Sequence, residues 1–164
     1  MFRAREGQGI AKAGNGSEAV KSFARARSLI QDSSPSDEPE WAWWVTDREI
    51  DRQEGRSLQE TGENHAAIPV LERAMHRENG ADVGYRTVAS VRLLDSLIKV
   101  RSWKTAENEA EKLLSDVDGM SSIVTRILLG EVAEEGKTLP RAPSGLREAL
   151  HQLGTLVSED PYAL

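Results

Sequence analysis

Three groups of side chains have the type and spacing to do chemistry. Arg52 and Arg56 lie four residues apart, so on a helix they are neighbours on one face. Two guanidiniums side by side can clamp a carboxylate or a phosphate through paired N–H donors. Glu49 and Glu60 flank them and can instead hold each arginine within its own helix. Trp41, Trp43 and Trp44 are three of the four tryptophans. Indoles can anchor a partner or a flat ligand, or pack a helix start against its neighbours. Trp41 and Trp44 share a helix face and read as core; Trp43 points elsewhere and is a candidate contact. The first 27 residues carry Arg3, Arg5, Lys12, Lys21, Arg25 and Arg27 against Glu6 and Glu18, a local +4 in a chain of net −6.

Other chemistry finds little support. His65, His76 and His151 fall in no metal-ligand spacing, and there is no cysteine to join them. No metal or cofactor is expected. Gly7-Gln8-Gly9 lacks the third glycine and the preceding strand of a phosphate cradle. No nucleophile sits beside a recognisable base. Glu131, Glu134 and Glu135 read as an exposed helix face. Catalysis is therefore not expected. The net charge of −6 argues against direct nucleic-acid binding, and no recognition helix accompanies the basic N-terminal stretch. No apolar run reaches 18 residues, so no membrane span is expected. The start lacks a signal-peptide core, and the lack of cysteine suits a reducing compartment; the expected location is cytoplasmic.

The elements that must position these groups are helices. Stripes at three- and four-residue steps run through 17–30 (Val20, Phe23, Ala24, Ala26, Ile30), 65–76 (Ala67, Ile68, Leu71, Ala74) and 88–100 (Val91, Leu94, Leu97, Ile98). They continue through 104–117 (Ala106, Ala110, Leu113, Leu114, Val117), 121–133 (Ile123, Val124, Ile127, Leu128, Val132) and 145–156 (Leu146, Ala149, Leu150, Leu153, Leu156). Ser17 is placed to cap the first of these helices, and Pro69 falls near the first turn of its own. Residues 32–40, 79–82 and 136–143 carry loop signals. No stretch alternates with a period of two, so no strand is expected.

The helices repeat. Twelve residues separate Gly7 from Ala19, Gly55 from Ala67 and Leu94 from Ala106. Steps of four and three then reach Phe23 and Ala26, Leu71 and Ala74, and Ala110 and Leu113. Gly14, Gly62 and Arg101 follow the first markers at one common distance. This pattern resembles the tetratricopeptide repeat, in which a small residue of helix A faces a small residue of helix B. The resemblance implies close approach of Gly7 to Ala19 and of Gly55 to Ala67, with Phe23 and Leu71 filling the groove toward the next helix. The repeat spacings, 48 and 39 residues, exceed the family period of about 34.

The order Trp41–Trp44, Asp47, Gly55, Gly62 and Ala67–Ala74, with Ser121-Ser122 and Arg126 downstream, resembles the C-terminal repeat region of actinobacterial XRE-type transcriptional regulators. No helix-turn-helix is read ahead of repeats that begin by Phe2. The expected fold is all-α: a right-handed solenoid of antiparallel helix pairs over residues 1–156, with a C-terminal capping pair and a tail at 157–164. The resemblance implies a non-enzymatic sensor or interaction module that receives a peptide, small molecule or partner protein in a groove lined by the A helices. It places Ala4, Gln8, Ala11 and Lys12, then Glu49, Arg52, Arg56, Gln59 and Glu60, then Val91, Asp95, Ile98 and Lys99 in that groove. A stand-alone adaptor or oligomerisation scaffold, including a homodimer, is the alternative; a helical enzyme ranks below both.

Overall fold

The computed structural model describes residues 2–32, 46–75, 83–116, 120 and 122–158. Among them the regular structure is α-helical throughout: α1 (Phe2–Lys12), α2 (Gly16–Gln31), α3 (Asp47–Glu60), α4 (Asn64–Met75), α5 (Val83–Lys99), α6 (Trp103–Asp116), α7 (Ile123–Lys137) and α8 (Ser144–Ser158). The chain divides into two compact units, residues 1–76 and 77–164. In the first, α1 packs on α2, α3 on α4, and α3 also on both α1 and α2; in the second, α5 packs on α6 and α7, and α8 on α6 and α7. The tryptophans Trp41, Trp43 and Trp44 and the loop signals at 33–40 and 79–82 lie outside the described residues.

Three of the four helix pairs close through the same three-residue link. α1, α3 and α5 each stop at a residue with positive φ: Gly14 at 82°, Gly62 at 80° and Arg101 at 60°. The next amide reaches back five residues, from Asn15 to the Ile10 carbonyl, Glu63 to Leu58 and Ser102 to Leu97, at 3.1, 2.8 and 2.9 Å. The left-handed residue's own amide bonds Ala11, Gln59 or Ile98. This arrangement satisfies carbonyls that the helix end would otherwise leave open. The residue that completes the stop also starts the next helix, for the carbonyls of Asn15, Glu63 and Ser102 accept from Ala19, Ala67 and Ala106. So short a link turns the chain back on itself. Glycine adopts the left-handed conformation without penalty; Arg101 does so at a cost of about 1–2 kcal/mol.

Inside the first two pairs the small residue of the first helix meets the large residue one turn beyond the marker alanine. Gly7 lies under the Phe23 ring, where an added Cβ would stand 2.9 Å from Phe23 Cε2, and Gly55 lies under Leu71, 2.6 Å from its Cδ2. The space each glycine vacates goes to the large residue of its own pair. Phe23 and Leu71 thus cover the glycines of their own pairs, and Phe23 also clusters with Ile50 of α3, the next helix, as expected. The same sixteen-residue step joins Leu94 to Ala110, both fully buried, so in the third pair the large and small residues have exchanged helices. The fourth pair has glycine contacts of its own: Leu150 covers Gly136, and a Cβ on Gly154 would meet the Ala133 Cβ at 3.3 Å. Its link, 138–143, is longer, and Thr138 ends α7 with φ of −94°.

The buried face departs from the expected one in α7 and, in part, in α2. α2 buries Ala19, Ser22, Phe23 and Ala26, while Val20 is 47% exposed and Ala24 is also exposed. α7 buries Thr125, Leu129, Val132, Ala133 and Gly136 and leaves Ile123, Val124 and Ile127 more than half exposed. α8 comes close enough for Leu150 to cover Gly136, Leu129 and Val132 fill the interior, and the aliphatics near the start of α7 lie outside. Asn15, not Ser17, caps α2, its side chain accepting from the Glu18 amide at 3.5 Å. Pro69 stands in the second turn of α4 and is exposed.

Candidate functional site

In the first unit α1 and α3 lie against each other. Arg5, Gln8 and Lys12 recur at steps of three and four along α1; Arg52, Arg56, Gln59 and Glu60 do so along α3. Lys12 Nζ stands 3.9 Å from Glu60 Oε2, which ties the two stripes together, and Arg56 Nε donates to Glu60 Oε1 at 2.7 Å. Arg5 Nη1 donates to Gln8 Oε1 at 3.3 Å. One glutamate thus holds a cation from each helix at the surface, with the Lys12 and Arg56 side chains 62% and 42% exposed. Exposed ion pairs of this kind contribute little to stability, so an arriving carboxylate or phosphate can take over their donors at small cost.

Arg52 is held differently. Its Nε and Nη2 donate to the two carboxylate oxygens of Glu49 at 2.8 and 2.6 Å. Glu49, expected in the groove, is buried, and it also accepts from Gln53 Nε2 at 2.5 Å. Arg52 and Arg56 are therefore engaged by different carboxylates on either side of them rather than aimed together as one clamp. Ala4 and Ala11, also expected to line the groove, belong to the core. In the second unit Val91 and Ile98 are likewise buried, and Lys99 Nζ pairs with Asp95 Oδ1 at 2.8 Å within α5. Trp43 lies outside the described residues.

A buried charge network escaped the sequence reading. Arg27 of α2 donates through Nη2 to both Asp51 and Glu54 of α3, and Arg73 of α4 donates to Asp51 Oδ1 at 3.2 Å. Asp51 and Glu54 are each 7% exposed. Burial works to lower the Arg27 pKa, but the hydrogen bonds and charges of Glu54 and Asp51 prevail and hold it above the ordinary arginine value. The signal for this network was the poverty of α3, whose only large aliphatics are Ile50 and Leu58. A helix packed on three neighbours with two such residues has to bury polar groups.

The N-terminal cations are largely paired within the unit. Arg3 Nη1 donates to Glu6 Oε2 and Lys21 Nζ to Glu18 Oε1, at 2.8 and 2.6 Å. The Arg3 hydrogen bond, with one from Ser22 Oγ at 2.8 Å, holds the Glu6 carboxyl below the usual range; Lys21 does the same for Glu18. Behind the α1–α3 strip, Ala11, Ala19, Phe23 and Leu58 floor a small apolar crevice of about 10 Å³, room for little more than a water molecule, with Val20 and Glu63 also in its wall. Among the described residues no cluster of three or more His, Asp or Glu side chains is placed to hold a metal, and no helix is long and apolar enough to cross a membrane. No protein-family model, curated protein or solved structure matches the chain.

Proposed function

We propose that the chain is a non-enzymatic helical-repeat binding module of the tetratricopeptide type, with right-handed stacking of its helix pairs and α7–α8 as the capping pair. It receives an acidic group of a peptide, small molecule or partner protein on the α1–α3 strip. One observation carries this reading. The same hairpin recurs three times, with the left-handed residue, the two stop bonds and the restart alanine at identical spacings. Recurring hairpins stack through neighbour contacts alone and present their first helices as an extended binding surface. In the first unit those helices, α1 and α3, carry Gln8, Lys12, Arg56 and Gln59 side by side. The resemblance to XRE-type regulators adds the role: the sensor or interaction region of a bacterial transcriptional regulator, in which an occupied surface favours one arrangement of the helices and an attached or partnered module reads it.

The test is native mass spectrometry of the chain purified without denaturation, beside a Lys12→Glu/Arg56→Glu variant. The parent is expected to retain an acidic ligand or partner that the variant loses, with helicity by circular dichroism unchanged. Equal retention by both would move the site off this strip. A parent that carries no bound species and shows no binding to acidic peptides would remove the reading.

A further inference from the structure

We propose a second binding surface, the outer face of α7, and assign it a basic amphipathic helix of a partner protein. α7 places Thr125, Leu129, Val132, Ala133 and Gly136 inward and leaves Ile123, Val124 and Ile127, near its start, outward. The outward three are 61%, 67% and 57% exposed, while Leu129 and Val132 of the same helix are in the core. Single exposed aliphatics are ordinary; adjoining ones on one helix mark an interaction surface. The face changes character along its length. Beyond Ile127 the same side of the helix continues through Glu131, Glu134 and Glu135, all exposed. Lys137 pairs with Glu134, and among the described residues Glu131 and Glu135 make no ion pair.

An apolar patch followed by carboxylates is the complement of a helix with an apolar stripe and flanking lysines or arginines. The acidic end also selects against the alternatives. Anionic lipid and nucleic acid would be repelled. A second copy, packed antiparallel through α7, would set its own carboxylates over the aliphatics. This surface belongs to the second unit and does not depend on the α1–α3 strip.

The test uses a fluorescent peptide of about eighteen residues with leucine at helical spacing and lysine elsewhere, read by anisotropy, with a leucine/glutamate peptide of the same pattern beside it. The parent is expected to bind the lysine peptide about tenfold more tightly than the glutamate one. Ile123→Ser/Ile127→Ser should weaken binding by about tenfold. Glu131→Gln/Glu135→Gln should weaken it about threefold and flatten its salt dependence. Leu29→Ser, on an exposed residue of α2, should leave binding unchanged. All these positions are at the surface, so the melting midpoint reports whether a variant still folds, and the two pairs probe the face independently. Equal binding of the two peptides, or binding indifferent to both pairs, would overturn the proposal. So would a sedimentation result in which the parent is a dimer that Ile123→Ser/Ile127→Ser dissolves, because the occupant would then be a second copy.

Discussion

The two units solve one packing problem in opposite ways. In the first, α3 has three helical neighbours and buries eight of its residues, among them Glu49, Asp51, Gln53, Glu54 and Ser57. Arginines hold three of these carboxylates: Arg52 from α3 itself, Arg27 from α2 and Arg73 from α4. In the second, each helix has two main neighbours, and the interior is aliphatic: Leu94, Leu113, Leu129, Leu146, Leu150 and Leu153 are at most 1% exposed. Its polar exceptions include the bond from Ser90 to Glu109. A helix wedged among three others has too little polar outer surface to hold its charges, so it pairs them inside. Such pairing fixes register more than it adds stability. The first unit therefore depends on specific partners, and the second on volume.

The largest expected effects break each unit at its core. Phe23→Ala should cost about 3–5 kcal/mol by removing the ring that covers Gly7. Leu150→Ala should cost about 2–5 kcal/mol through the same loss over Gly136. Hydrogen exchange should place each loss in its own unit; protection lost equally in both would show that the division is not energetic. Next, Arg27→Met leaves Asp51 and Glu54 facing each other with Arg73 alone, and should cost about 3 kcal/mol by urea titration. Adding Asp51→Leu and Glu54→Leu should recover most of it. No second-unit residue is expected to show this pattern of loss and rescue.

The exchange of large and small residues can be tested by transplanting it. Gly55→Leu and Leu71→Ala should each destabilise, the first by overpacking at about 1–3 kcal/mol. The double variant should be milder than their sum, with a coupling of about 1–2 kcal/mol. Additive losses would mean that the pairs are not equivalent. At the third link, Arg101→Gly should stabilise by about 1 kcal/mol. Gly62→Ala should destabilise by a similar amount. Smallest of all, Ser22→Ala should let the Glu6 carboxyl titrate closer to its ordinary value, followed by NMR. Glu6 has a folded pKa below its unfolded one, so its contribution is present above the unfolded pKa and fades as the pH falls through the folded one. The variant should narrow that acid window from below.

Much of the architecture could be read from residue order. Helical spacing located six of the described helices to within about five residues, α1 and α3 having no apolar stripe to find, and the steps linking Gly7, Gly55 and Leu94 to their alanines proved to mark one repeated hairpin. Gly14 and Gly62 were legible as repeat positions but not as turns; their left-handed backbone shows only in the structure. The site was read less well. Lys12 and Gln59 were placed on a surface strip and Arg56 beside them, but Glu49 is buried and Arg52 is committed to it. Spacing alone could not distinguish a solvated pair from a buried one, because both put opposite charges three or four residues apart.

The sequence by itself determined where the chain turns and which residues recur, since those depend on backbone conformation and on contacts within a few residues. The stripes already marked the inner faces of α4, α5, α6 and α8; only the tertiary structure decided the inner face of α7 and which charges are buried. Phe23 goes to Gly7 and Leu150 to Gly136 because a vacated Cβ position admits a large side chain from a distant helix. Asp51 and Glu54 are interior because α2 and α4 deliver arginines to them. Ile123, Val124 and Ile127 are exterior because α7 turns Thr125, Leu129, Val132 and Ala133 toward the core instead.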